Sequence, residues 1–111
     1  MQTIEWQDFE RIELRAGTVL SASNNAKARK PAFALETGLG PLGIKTSGAQ
    51  ITALYRSAKL IGRQVLFLCN FAPKSIAGVR SQVLVSGVDD AERRVVLVSF
   101  EQPLVNGRRL A

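Results

Sequence analysis

Alternation of apolar and polar positions defines most of this chain. Over residues 12–20, Ile12, Leu14, Ala16, Thr18 and Leu20 alternate with Glu13, Arg15, Gly17 and Val19, the period of two expected of a half-buried strand. Gly17 inside that run predicts a bulge or sharp bend, as small barrels need at their corners. Residues 31–37 read as a second strand with Phe33 and Leu35 in phase, and residues 44–50 as a third, weaker one. Gly38-Leu39-Gly40-Pro41-Leu42-Gly43 between them is a turn region. Residues 65–71 are apolar on both phases, which predicts a central strand, and Ala72-Pro73 ends it. Residues 82–88 and 95–100 are two more strands, joined by the polar turn Asp89-Asp90-Ala91-Glu92.

Helical pattern is scarce. Thr3 is a candidate N-cap for a short helix through Phe9, with Ile4, Trp6 and Phe9 as its apolar side. Residues 51–60 can hold a second short helix ended by Gly62. Residues 21–30 form a polar, basic loop, and the tail from residue 102 carries a proline, a glycine and two arginines. Strands, one short helix in mid-chain, then strands again exclude a doubly wound sheet, in which helices and strands alternate. The order predicts a mainly β chain, a five-stranded Greek-key barrel with the short helix between strands three and four and short terminal extensions. The length, 111 residues, suits a single domain over residues 1–111.

Composition narrows the chemistry. No run approaches the ~20 apolar residues of a membrane span, so no membrane insertion is expected. Residues 1–6 show no basic region before an apolar stretch, so no secretory leader is expected. Cys69 is the single cysteine and lies in an apolar run; it permits no internal disulfide and suggests a cytoplasmic protein, with the thiol either a small buried hydrophobe or a reactive group. Histidine is absent, which removes Ser-His-Asp and Cys-His catalysis and the usual zinc sites. No nucleophile, base and oxyanion donor assemble, so neither catalytic residues, metal nor cofactor are expected.

The net charge of +6 is unevenly spread. Glu5, Asp8, Glu10 and Glu13 precede Leu14, whereas Glu36 is the only acid from Leu14 to Val88. That stretch holds Arg15, Lys27, Arg29, Lys30, Lys45, Arg56, Lys59, Arg63, Lys74 and Arg80. A body so short of acids projects a positive field that attracts polyanions, nucleic acid before an anionic membrane surface.

Gly38-x-Gly40-x-x-Gly43 matches a dinucleotide fingerprint in letters only: strand-like Ile44 follows where a long helix should open, and Pro41 sits in the turn. Lys45 also falls one place late for a phosphate-binding loop. Lys27-Ala28-Arg29-Lys30 is either a phosphate grip or a solvated loop, and Arg108-Arg109 has the same two readings, with a mobile tail favoured. Asn70, out of phase with Phe67 and Phe71, can read a base edge or cap a loop, and Lys74 just beyond can meet a phosphate. Ser81 and Gln82 follow Arg80 with further polar groups. Phe67 and Phe100 look like core, and Phe33 and Tyr55 are open. With aromatics at only 6%, recognition of a folded RNA by shape and phosphate is favoured over stacking a long single strand.

Asp8-Phe9-Glu10-Arg11-Ile12-Glu13-Leu14-Arg15-Ala16-Gly17 resembles the opening motif of tRNA-binding OB-fold domains, which occur alone or appended to methionyl-tRNA synthetases and EMAP-II-like proteins. Ala28-Arg29-Lys30-Pro31-Ala32-Phe33 and Lys45-Thr46-Ser47-Gly48-Ala49-Gln50-Ile51 narrow the resemblance to the stand-alone CsaA type. Ile61-Gly62-Arg63-Gln64-Val65, Cys69-Asn70-Phe71-Ala72-Pro73-Lys74, Gly78-Val79-Arg80-Ser81-Gln82-Val83-Leu84 and Pro103-Leu104-Val105-Asn106-Gly107 follow in the expected order. The resemblance covers residues 8–110.

It implies an OB-fold barrel, a symmetric homodimer, tRNA binding without catalysis, and a chaperone role toward unfolded or export-bound polypeptides as the alternative. It carries tRNA contact to Asn70, Lys74, Arg80 and Ser81, with Lys30 and Lys45 added partly for their charge. Ile4, Trp6, Phe9, Pro103 and Leu104 are the candidates for a dimer seam or peptide groove. Two positions depart from the type: Gln82 stands where Glu is common, which favours phosphate, and Gly48 stands where Ser is frequent, with the expected loss of a loop hydrogen bond.

Overall fold

The computed structural model describes residues 1–25 and 29–111. Its elements in chain order are α1 (Trp6–Glu10), β1 (Leu14–Asn24), β2 (Phe33–Gly38), a 3-10 turn (Gly40–Leu42), β3 (Ile44–Ala49), α2 (Ser57–Leu60), β4 (Gln64–Leu68), β5 (Lys74–Ile76), β6 (Val79–Ser81), β7 (Leu84–Val85), β8 (Gly87–Asp89) and β9 (Val95–Leu97). The main sheet has five strands in the order β3-β2-β1-β4-β7, all neighbours antiparallel. Three hairpin-connected strands with a fourth returning beside the first make a Greek key. The Val83 and Gln82 amides both donate to the Thr46 carbonyl, at 3.3 and 2.9 Å, and draw the chain before β7 against β3. The sheet thereby curls into the near-closed, OB-fold-like barrel that the strand order and the resemblance predict.

Phe67, Leu35, Leu39, Leu60, Val19 and Val65 fill the barrel and are almost wholly buried. Each aliphatic or aromatic side chain so buried contributes roughly 1.5–3 kcal/mol. Val65, Leu66 and Phe67 are buried in succession, which is why β4 shows no alternation. Leu60 of α2 lies between β3 and β4 in the chain and is fully buried.

Several elements depart from the sequence expectation. Gly17 pairs regularly with Val65, and the register shift falls between Val19 and Ser21 instead. What requires Gly17 is close packing: a Cβ there would stand 2.6 Å from Leu39 Cδ2 and 2.9 Å from Phe67 Cδ2. The first helix is capped by Glu5 rather than Thr3, because the Asp8 carboxylate accepts the Glu5 amide at 3.1 Å and the Glu5 side chain reciprocates. β1 continues through Asn24 into the expected loop, carried by pairing with β2.

The second helix is only Ser57–Leu60, since the segment before it is tethered to the barrel: the Tyr55 hydroxyl accepts the Leu97 amide at 2.9 Å. The strand expected over 82–88 breaks at Ser86, whose amide donates to Leu66 while its carbonyl accepts from Val98. Beyond it β8 turns away to pair with β9. Phe33 is core, Phe100 is half-buried, and Phe71 is exposed.

The tail is docked rather than mobile. Ala16 exchanges backbone bonds with the tail, its amide donating to the Arg108 carbonyl at 2.8 Å and its carbonyl accepting the Gly107 amide at 2.7 Å. Leu110 donates to Leu14 at 2.8 Å. The Arg109 guanidinium donates to the Ile12 carbonyl at 3.1 Å and to that of Glu10.

Candidate nucleic-acid interface

β5 and β6 form an antiparallel hairpin. Its two-residue turn, Ala77-Gly78, has φ of 52° and 81°. Positive φ at both positions matches the right-handed twist of a tight hairpin. Alanine at the first position, where Asn or Asp would announce the turn, hides it in the sequence.

Polar struts hold the hairpin on β3. Thr46 Oγ1 donates to the Arg80 carbonyl at 2.7 Å, and the Gly48 amide donates to Ser81 Oγ at 2.8 Å. Gln82 Oε1 accepts the Thr46 amide at 3.1 Å. Asn25 Nδ2 donates to the Ala77 carbonyl, which joins the β1–β2 connection to the hairpin turn. A Cβ at Gly48 on this backbone would collide with the Ile76 carbonyl oxygen, so its absence lets the hairpin approach.

Cross-strand register separates the expected contact residues. Lys74 pairs with Ser81, and Ser75 with Arg80. Directly opposed residues share a face, so Lys74 and Arg80 leave opposite faces of the ribbon. Ser81 is only 2% exposed and bonded to Gly48 and Val79. The Ser81 hydroxyl thus lies against β3 and braces the hairpin.

Asn70 is exposed, yet its amide is engaged, with Oδ1 accepting the Glu13 amide at 3.0 Å and Nδ2 donating to the Arg11 carbonyl at 2.6 Å. Of its two expected roles the structure shows the loop cap, tying the end of β4 to the connection between α1 and β1. Lys45 is half-buried beside Thr46, and Lys30 is exposed in the β1–β2 connection. Lys27 and Ala28 of the basic cluster lie outside the described residues.

Among the described residues the ion pairs are Arg15–Glu13 at 2.6 Å, Arg94–Asp90 at 2.8 Å and Arg94–Glu92 at 3.6 Å. Lys30, Lys45, Lys74 and Arg80 belong to none of them. Phe71, 58% exposed between Asn70 and Lys74, is a residue the sequence reading missed. Phase from Phe67 placed it on the core face, but β4 ends at Leu68 and the phase ends with it. An exposed ring beside a lysine can stack a base.

The terminal face differs. The Trp6 and Phe9 rings lie 5.2 Å apart, tilted at 49°. With Leu110 they line an apolar slot of about 280 Å³. Ile4 and Trp6 are each 65% exposed. Pro103 and Leu104 do not line that slot; Leu104 is clasped by Gln64, which accepts its amide at 2.8 Å and donates to its carbonyl at 2.6 Å.

Burial pushes the half-buried Cys69 thiol up from its ordinary pKa. A hydrogen bond from the Arg15 side chain holds Glu13 below the usual carboxylate range, and the Arg94 amide does the same for Asp90. Among the described residues no three Cys, Asp or Glu side chains gather to hold a metal. No described helix is long and apolar enough to cross a membrane.

The family model described as "Putative tRNA binding domain" matches residues 14–109. The crystal structure of the chaperone CsaA from Bacillus anthracis superposes with a TM-score of 0.91 at 42% identity, covering 99% of this chain and 100% of that one. The CsaA chaperone protein of Picrophilus torridus gives 0.89 at 34% identity, covering 98% and 100%. A methionine–tRNA ligase of Flavobacterium johnsoniae is 30% identical over 105 residues, which is 94% of this chain and 14% of that protein. The chain thus spans a small part of the curated relatives it matches.

Proposed function

This chain belongs to the tRNA-binding domain family, and from that premise we propose that it is a non-catalytic module gripping tRNA with the β5–β6 end of its barrel. The observation that carries the reading is the set of cations on and beside one braced hairpin, Lys74 and Arg80 with Lys45 on the adjoining β3, none of them ion-paired among the described residues. Lysine and arginine there neutralise phosphates, with Phe71 offering a ring to an unstacked base. Asn70, exposed, and Ser81, buried, fix the segments that carry those groups. Because Lys74 and Arg80 leave opposite faces of the ribbon, they would meet different phosphates. The protein acts as a homodimer in the cytoplasm, with Ile4, Trp6, Phe9, Pro103 and Leu104 contributing to the seam. The apolar slot and the single unbridged cysteine support those two assignments.

A tRNA titration at low and near-physiological salt, with Lys74→Ala/Arg80→Ala alongside, tests the reading. Binding should weaken steeply with salt, and the double variant should lose about two units of the logarithmic salt slope, one per phosphate contact. A flat salt response, or an unaffected variant, removes it.

A second reading has its own observation. The two solved structures just described are named chaperones, and the terminal face is apolar and exposed. An unfolded or export-bound polypeptide could occupy that face. Saturable binding of an unfolded chain that ignores salt would support it, and no saturable binding would remove it.

A further inference from the structure

An open cleft of about 480 Å³ lies between the β1–β2 connection and the segment leading into α2. We propose that it seats one unpaired nucleotide of the bound RNA, with Arg56 on that nucleotide's phosphate. The inference rests on the tRNA-binding reading and extends it to residues outside the basic hairpin.

The cleft offers what each part of a nucleotide needs. Its base is apolar: Phe33 lines it and is 4% exposed. Its walls are polar, from Asn24, Thr52, Tyr55 and Ser57. Flat base faces favour apolar contact, and base edges need donors and acceptors. Among the described lining residues there is no carboxylate. Arg56 is exposed at the rim and belongs to none of the ion pairs described. A guanidinium so placed presents its fork to a phosphate.

The wall is also preorganised. Besides its bond to Leu97, the Tyr55 ring carries the Arg63 guanidinium 5.4 Å from its centroid. A ring held at both its edge and its face loses little freedom on binding. The volume suits a small ligand, within the roughly 300–1,000 Å³ of such sites.

Position links the cleft to RNA rather than to a free metabolite. Asn25 lines it and donates to Ala77 at the tip of the basic hairpin. An RNA strand with a phosphate on the hairpin can therefore turn one unstacked nucleotide into the cleft without leaving the protein.

Backbone-amide NMR with AMP and with UMP, followed by tRNA titrations, tests this. Either mononucleotide should shift the Asn24, Thr52 and Ser57 amides saturably. Arg56→Ala should abolish those shifts, weaken tRNA binding about fivefold, and lower the salt slope by about 0.7, the value for one phosphate of a single strand. Arg56→Lys should keep the slope. Lys74→Ala/Arg80→Ala should weaken tRNA while leaving the mononucleotide shifts intact. If tRNA binds through the hairpin but neither mononucleotide moves the cleft amides, or Arg56→Ala keeps the full slope, the inference is overturned alone. If tRNA does not bind at all, the tRNA-binding reading falls and this inference with it.

Discussion

The β5–β6 hairpin and the terminal face are both fastened to the barrel by hydrogen bonds, yet they present opposite chemistry to solvent. The hairpin is braced by Thr46, Gly48 and Ser81, and carries cations that join no ion pair among the described residues. The terminal face is fastened by backbone pairing of the tail to Leu14 and Ala16. It carries Trp6, Ile4 and Val105, each at least 65% exposed, while Glu5 and Asp8 are spent on capping the first helix. The lesson is that rigidity and surface character are set separately. Polar groups that could have met a ligand, such as the Ser81 hydroxyl and the Asn70 amide, hold position instead, and the groups left over define each surface.

Breaking one surface without the other sharpens that contrast. The largest effect is expected from Trp6→Asp, which sets a charge in the apolar slot. It should take the proposed dimer to a 12.1 kDa particle by light scattering. Salt-dependent tRNA contact per chain should remain while the gain from two linked sites disappears, about a hundredfold in apparent affinity. A particle of twice that mass after the substitution would move the seam elsewhere.

Gly48→Ala should act on the hairpin alone. Its Cβ would press on the Ile76 carbonyl, and such overpacking costs about 1–3 kcal/mol. Faster amide exchange in β5 and β6 and weakened tRNA binding, with the oligomeric state unchanged, are the expected results. Unchanged exchange would mean that the hairpin yields without loss.

Asn70→Ala removes the bonds to Glu13 and Arg11, each worth about 1 kcal/mol. The thermal midpoint should fall while the salt slope of tRNA binding stays as it was. A reduced slope would return Asn70 to the contact set.

The smallest effect concerns acid. Asp90 accepts the Glu92 and Arg94 amides and the Arg94 side chain, and its folded pKa is lowered, first by the Arg94 amide bond. The unfolded chain therefore takes up the proton first. The stabilisation is complete above the ordinary carboxylate pKa and is lost as pH falls through the lower folded value. Asp90→Asn should flatten the melting curve's response between neutral pH and strong acid without touching either surface. An equal acid response in both proteins would remove Asp90 from the account.

The barrel was legible because its strands obey local rules. Alternation from residue 12, an apolar run around Phe67 and the glycine-proline turn at 38–43 place β1, β4 and the β2–β3 hairpin near their observed positions. The candidate site was legible through the resemblance, which singled out Asn70, Lys74, Arg80 and Ser81, and through charge, which helped to add Lys30 and Lys45. Direction was not legible: phase from Phe67 set Phe71 on the core face, whereas it lies exposed past the end of β4.

The sequence by itself determined the strand order, the position of the short helix and the segregation of acids from bases, because periodicity, turn chemistry and charge are properties of neighbouring residues. Tertiary structure decided which polar groups brace and which remain free, that the tail docks on β1, and that Gly17 and Gly48 answer to close approach rather than to turns. Those outcomes depend on atoms brought together from distant parts of the chain, Leu39 and Phe67 over Gly17, Ile76 over Gly48, and local pattern carries no record of them.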